Sequence, residues 1–113
     1  MDLSLRALIN LTRRMRSRPR AQFVRIIEVA DRSHLPDRLQ PRRLYVLGAP
    51  AKWALFECPC GRGHQIQLNL MHALRARWSL SVEEGRPTLF PSVDVRGDRR
   101  CHFWLRAGWT RWV

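Results

Sequence analysis

Lysine is all but missing from this sequence. Lys52 is the only one, so the 21 basic side chains that face 9 acidic ones are otherwise arginine. The net charge of +12 is therefore carried by guanidinium groups, which grip carboxylates and phosphates through two parallel hydrogen bonds. Residues 1–43 hold 11 basic and 4 acidic side chains, and residues 44–113 hold 10 and 5. The excess is spread along the chain and does not by itself choose between nucleic acid, a membrane surface and an acidic protein partner. Long apolar runs are absent as well, and none approaches the roughly 20 residues that a bilayer span requires. No basic start leads into an apolar stretch and a small-residue cleavage site, so no secretory signal is expected. Cysteine is scarce, and an odd count of 3 argues against a disulfide framework. A reducing cytoplasm is the expected compartment. At 113 residues there is enough chain for one domain with a real core and too little for two of ordinary size.

What is present reads as a helix followed by strands. Leu5, Leu8, Ile9, Thr12 and Met15 follow the spacing of one helical face, Asp2 or Ser4 can cap it, and arginines gather at its C-terminal end. The pattern predicts a helix from about Leu3 to Arg16 that ends before Pro19, making residues 1–20 a basic amphipathic extension. Phe23–Val29 and Leu44–Leu47 read as strands, with a charged, proline-containing loop over Ser33–Arg43 between them. Trp53–Phe56 follows, and period-two alternation returns around Ile66–Leu70 and Trp78–Val82. Glu84–Pro87 bends the chain into Thr88–Phe90, and Pro91 is expected to place that strand at a sheet edge or to end it. Gly97-Asp98 leads into His102–Leu105, and Ala107-Gly108 predicts a hairpin to Trp109–Val113. The expected fold is mostly β, a small antiparallel sheet or barrel-like domain over residues 21–113, with one N-terminal α-helix.

The chemically unusual stretch is Phe56–His64. Cys58 and Cys60 share a face of an extended backbone, and Gly61 and Gly63 let the chain turn and present N–H groups. Such a turn can hold a metal, an oxyanion or only itself. A tetrahedral zinc site would draw on Cys58, Cys60, Cys101 and either His64 or His102, although the single residue between the first two is fewer than usual. Nucleophilic catalysis would draw on Ser92 or Cys101, on His102 or His64 as base, and on the Gly61–Gly63 turn for oxyanion donors. Cys101 and His102 are neighbours on an expected strand and so point to opposite faces, whereas Ser92 can meet His102 across adjacent strands. Trp104, Trp109 and Trp112 with Arg106 and Arg111 offer stacking surfaces and phosphate contacts. Most of 5 tryptophans in a small β domain must be core, and no nucleic-acid motif is present, so that partner is not favoured.

Leu44-Tyr45-Val46-Leu47-Gly48, Cys58-Pro59-Cys60-Gly61, Leu68-Asn69-Leu70, Arg77-Trp78, Thr88-Leu89-Phe90-Pro91-Ser92-Val93 and His102-Phe103-Trp104 occur in this order. Together they resemble a bacterial domain family encoded beside ubiquitin-like conjugation genes, those for E1-like, E2-like and ubiquitin-like proteins. The likeness runs from about Phe23 to Trp112. Members commonly read Cys-Pro-Cys-Gly-Cys-Gly and, later, Cys-x-Ser-His-Phe-Trp. Here Arg62 stands at the third cysteine, Arg99 at the fourth and Cys101 at the serine, while Ser92 and His102 match the family's serine and histidine. The family has been considered both a metal-binding ribbon and a serine peptidase, and the residues retained favour the second.

The resemblance thus implies a peptidase that processes a ubiquitin-like precursor or removes the protein from targets. Ser92 would attack, His102 would act as base, and Cys101 is the reserve nucleophile. No metal or other cofactor is expected. The implied partners are a ubiquitin-like protein and E1-like or E2-like proteins. The alternative is a zinc-ribbon-like or basic non-catalytic binding module, with Cys58, Cys60, Cys101 and His102 as the ligands.

Overall fold

The computed structural model describes residues 22–72, 77–97 and 99–113. Within them the alternating apolar pattern becomes eight strands in two four-stranded sheets. The first sheet contains β1 (Arg25–Val29), β2 (Arg43–Leu47), β3 (Trp53–Glu57) and β4 (Gln65–Asn69), side by side in chain order. The second contains β5 (Ser79–Glu83), β6 (Arg86–Val95), β7 (Cys101–Arg106) and β8 (Trp109–Trp112), again in chain order. Neighbours are antiparallel except β1 and β2, which run parallel. The mostly β expectation holds, but neither sheet closes into a barrel, since each begins and ends on a different strand. The helix expected over Leu3–Arg16 lies outside the described residues.

The two sheets share one core. Alternation along β2, β3 and β4 turns Leu44, Val46, Ala54, Phe56, Ile66 and Leu68 inward, and β6 and β7 answer with Leu89, Val93, Cys101, Phe103 and Leu105. Phe23 is fully buried just ahead of β1 and meets Phe56 edge to face at 5.5 Å; Phe56 meets Phe103 at 6.4 Å, and Phe103 meets Trp112 at 5.3 Å. This aromatic chain ties one sheet to the other, each edge contact adding about 0.5–1.5 kcal/mol beyond the area it buries. A smaller cluster lies behind the first sheet, where Leu39, Tyr45, Leu47 and Leu55 are buried and Leu35 packs against them. The charged β1–β2 connection, expected to be a surface loop, thus folds its two leucines back onto β2. A parallel pair needs a crossover of about a dozen residues, which this connection supplies.

Turn chemistry fixes the two tight hairpins of the second sheet, β5–β6 and β7–β8. Glu84 and Gly85, and again Ala107 and Gly108, have positive φ, the requirement of the two-residue turn that matches strand twist. Gly108 is required twice over. Its carbonyl accepts the N–H of Phe23 at 2.6 Å, its own N–H reaches Pro87 at 2.8 Å, and a Cβ there would collide with the Phe23 carbonyl oxygen.

Pro91 does not end its strand: it sits inside β6, one residue past the last pair with β5, Ser79–Phe90, so that only β7 runs beside it there. The register shows why: Leu89 pairs with Leu105 and Val93 with Phe103, so β6 spends four steps where β7 spends two. Pro91 lies in that bulge, where its missing N–H costs no regular ladder bond.

Candidate active site

Beside β7, Ser92 lies at the end of the β6 bulge. Beyond it, regular pairing resumes with Asp94 directly opposite His102, which leaves Ser92 diagonal to His102. Ser92 Oγ and His102 Nε2 are 2.9 Å apart, and both side chains are half-buried. From below, the indole N–H of Trp78 donates to the Ser92 carbonyl at 3.3 Å and fixes the backbone that carries the hydroxyl. Asp94 receives a two-pronged bond from Arg100, Nε to Oδ1 at 2.9 Å and Nη2 to Oδ2 at 2.8 Å, and Arg96 approaches at 3.7 Å. The Arg100 hydrogen bonds hold the Asp94 carboxyl down at about 2, with the charges of Arg100, His102 and Arg96 adding to the effect. An exposed carboxylate that stays ionised therefore stands across the ladder from the imidazole.

A second constellation lies on the other side of β7. Cys101 points inward and His102 outward, as alternation requires. The β3–β4 turn brings Cys58, Cys60 and His64 to Cys101, so that all four ligand atoms lie within 4.8 Å of one another. Cys60 Sγ is 3.0 Å from His64 Nε2, and Cys101 Sγ is 3.8 Å from the same nitrogen. The Gly61 N–H closes the turn onto the Cys58 carbonyl at 3.2 Å, and the Cys58 N–H bonds the His64 carbonyl at 2.8 Å. Burial pushes the Cys58 thiol well above its ordinary range. None of the three cysteines forms a disulfide. Tetrahedral zinc with sulfur and nitrogen ligands separates them by about 3.3–3.8 Å, so this donor set fits a metal with side-chain shifts of about 1 Å.

The family described as bacterial ubiquitination-like system serine protease (BubE) matches residues 31–113. The chain belongs to the BubE family. No curated protein and no solved structure matches it. In this BubE chain, Ser92 and His102 are brought together, while His64 and Cys101 form a separate pair on the opposite side of β7. Gly61 and Gly63 belong to the thiol turn on that inner side; Gly61 spends its N–H within the turn, and Gly63 faces Arg38 and Glu57. The ligand set given for the metal alternative changes by one member, His64 for His102, because His102 lies across β7 from Cys101 and contacts Ser92. The structure adds Asp94, Arg100 and Trp78 around the Ser92–His102 pair. The i, i+2 spacing of Ser92 and Asp94 was a usable signal for the first; nothing local pointed to the other two. Among the described residues, no helix is long and apolar enough to cross a membrane.

Proposed function

We propose that this chain is a serine peptidase of a bacterial ubiquitin-like conjugation pathway, acting on a ubiquitin-like precursor or conjugate. The observation that carries the reading is the 2.9 Å approach of Ser92 Oγ to His102 Nε2 on the outer face of β6 and β7, in a chain of the BubE family. Ser92 Oγ attacks the scissile carbonyl carbon as its proton passes to His102 Nε2. The tetrahedral intermediate expels the amine, which takes that proton from the imidazolium. Water, deprotonated in turn by His102, then releases the acyl group and regenerates Ser92. Asp94 stabilises the imidazolium through its charge, and Arg100 keeps Asp94 in place and ionised. An oxyanion donor is expected from the backbone of the β6 bulge beside Ser92 rather than from the Gly61–Gly63 turn, which lies on the far side of β7. Labelling by a fluorophosphonate probe tests the assignment: adduct on Ser92 is expected, and adduct elsewhere or none opposes it.

A metal centre is the second reading, favoured by the convergence of Cys58, Cys60, His64 and Cys101. Zinc suits three sulfurs and one imidazole, and four protein ligands make a closed, structural site. Bound there, zinc would cross-link the β3–β4 turn to the start of β7. With the dyad inactive, such a site would leave a zinc-ribbon-like binding module. The absence of disulfides suits a reducing cytoplasm. Purified protein carrying one tightly held zinc per chain supports the centre; metal-free protein with unchanged stability opposes it.

A further inference from the structure

The outer face of the second sheet carries apolar surface that folding does not use. Phe90 is 65% exposed, although it is a large hydrophobic residue beside the bulge. Its ring lies 6.2 Å from that of Trp104, tilted by 37°, and the Arg106 guanidinium sits over the Trp104 indole at 4.9 Å. His102, Trp104 and Arg106 are alternate residues of β7 and therefore form one row on one face, with Phe90 flanking its middle and Ser92 its start. Arg111 is the cross-strand partner of Trp104 and adds a second cation to that side. Among the described residues, no carboxylate is bridged to Arg106 or Arg111, whereas Asp94 near the dyad is held by Arg100. The face thus runs from the nucleophile, through an aromatic pair, to positive charge.

We propose that the Phe90–Trp104–Arg106 row is the substrate subsite beside Ser92 and His102, taking an extended peptide segment with an apolar residue followed, after one intervening residue, by an acidic one. The proposal rests on the peptidase reading. Its spacing comes from strand geometry: alternate residues stand about 6.6–6.8 Å apart on β7, the same repeat an extended peptide presents along one face. With the scissile residue at His102, the second residue along lies on the aromatic pair and the fourth reaches Arg106. Stacking on Trp104 leaves the edge N–H groups of Arg106 available to a carboxylate and restricts the guanidinium before the ligand arrives. An exposed apolar patch rimmed by charge is the usual mark of a protein-binding surface. A single-stranded nucleic acid fits less well. One face of Trp104 is already covered by Arg106 and Trp112 turns inward onto Phe103, which leaves Trp109, 48% exposed and opposite Arg106, as the one open stacking ring of the three.

The test reads binding without turnover, by fluorescence anisotropy on the Ser92→Ala protein. Fluorescein-labelled peptides contain Leu-x-Glu, Leu-x-Lys or Ser-x-Glu in an otherwise Gly-Ser background, and a labelled oligouridylate serves as the nucleic-acid probe. The Leu-x-Glu peptide is expected to bind about tenfold or more tightly than the other two. Added Trp104→Ala or Arg106→Glu should each weaken it by about tenfold or more, and Arg106→Glu should reverse the preference so that Leu-x-Lys binds better. That reversal is not produced by general loss of structure. Should Trp104→Ala fail to fold, the swap at exposed Arg106 decides alone. Equal affinity for Leu-x-Glu and Leu-x-Lys overturns the subsite, as does Trp104-dependent binding of the oligouridylate in place of the peptides. A protein that binds Leu-x-Glu as described but cuts nothing keeps the surface and loses the peptidase; one that cuts without regard to the pattern keeps the peptidase and loses the subsite.

Discussion

His102 stands directly across the β6–β7 ladder from Asp94 while its Nε2 lies 2.9 Å from Ser92 Oγ, so one imidazole faces an anion and a hydroxyl from the same side of the sheet. Strand alternation puts Ser92 and Asp94 on the same face of β6, and Ser92, at the end of the bulge, lies diagonal to His102.

Asp94 is expected to assist His102 by charge. Asp94→Asn should lower kcat on the order of tenfold, with little change in KM, while retaining fluorophosphonate labelling of Ser92 at a reduced rate. Arg100→Ala should act in the same direction by freeing the carboxylate. Steady-state kinetics of both variants check this, and an unchanged kcat in Asp94→Asn would remove Asp94 from the mechanism.

Acid stability follows from the same pair. The Asp94 carboxyl is depressed from 3.8 to about 2 by Arg100, so its contribution is fully present above pH 3.8 and is lost as pH falls through about 2. Urea unfolding between those values should show the wild type losing part of its advantage over Asp94→Asn as the medium becomes more acid. A gap that stays constant would mean that the ion pair adds nothing to the fold.

Gly108→Ala should destabilise the protein by about 1–3 kcal/mol or more, since the new Cβ meets the Phe23 carbonyl and the residue must also keep a positive φ. Gly61 tests the specificity of that claim. Its φ is positive too, but nothing lies within 4 Å of its missing Cβ, so Gly61→Ala should cost less. Chemical denaturation of the two variants gives the comparison.

The two histidines should separate under metal analysis. His64→Ala is expected to lose zinc affinity by at least about tenfold, and His102→Ala to keep it, because only His64 joins the three sulfurs. Elemental analysis and the absorption of the cobalt-substituted protein read this directly. Zinc loss in His102→Ala with retention in His64→Ala would reverse the assignment.

Strand positions were legible in the sequence because period-two alternation and turn residues are local signals. Ala107-Gly108 gave its hairpin correctly, and Ile66–Leu70 and Trp78–Val82 fell on β4 and β5 to within a residue or so at each end. Pro91 does not end its strand as one reading of it expects, because it falls past the last β5 pair and inside the bulge, where no regular ladder bond is lost. Likewise, nothing local reveals that β1 and β2 are parallel, a matter of how the connection between them packs its leucines. In the site, Ser92 and His102 could be paired by role, but choosing His64 over His102 beside Cys101 required knowing which side of β7 meets the β3–β4 turn. Arg100 was invisible as the clamp on Asp94, because in a chain with 20 arginines no single one stands out.

The most direct test is a cycle of Ser92→Ala, His102→Ala and the double variant, with cleavage of the ubiquitin-like precursor measured for each and folding checked by near-ultraviolet circular dichroism. Members of one catalytic unit are not additive. Each single variant should fall about as far as the double, on the order of 10^4-fold or more, with the fold intact. Cleavage that persists in both single variants, or losses that simply multiply in the double, would contradict a Ser92–His102 peptidase.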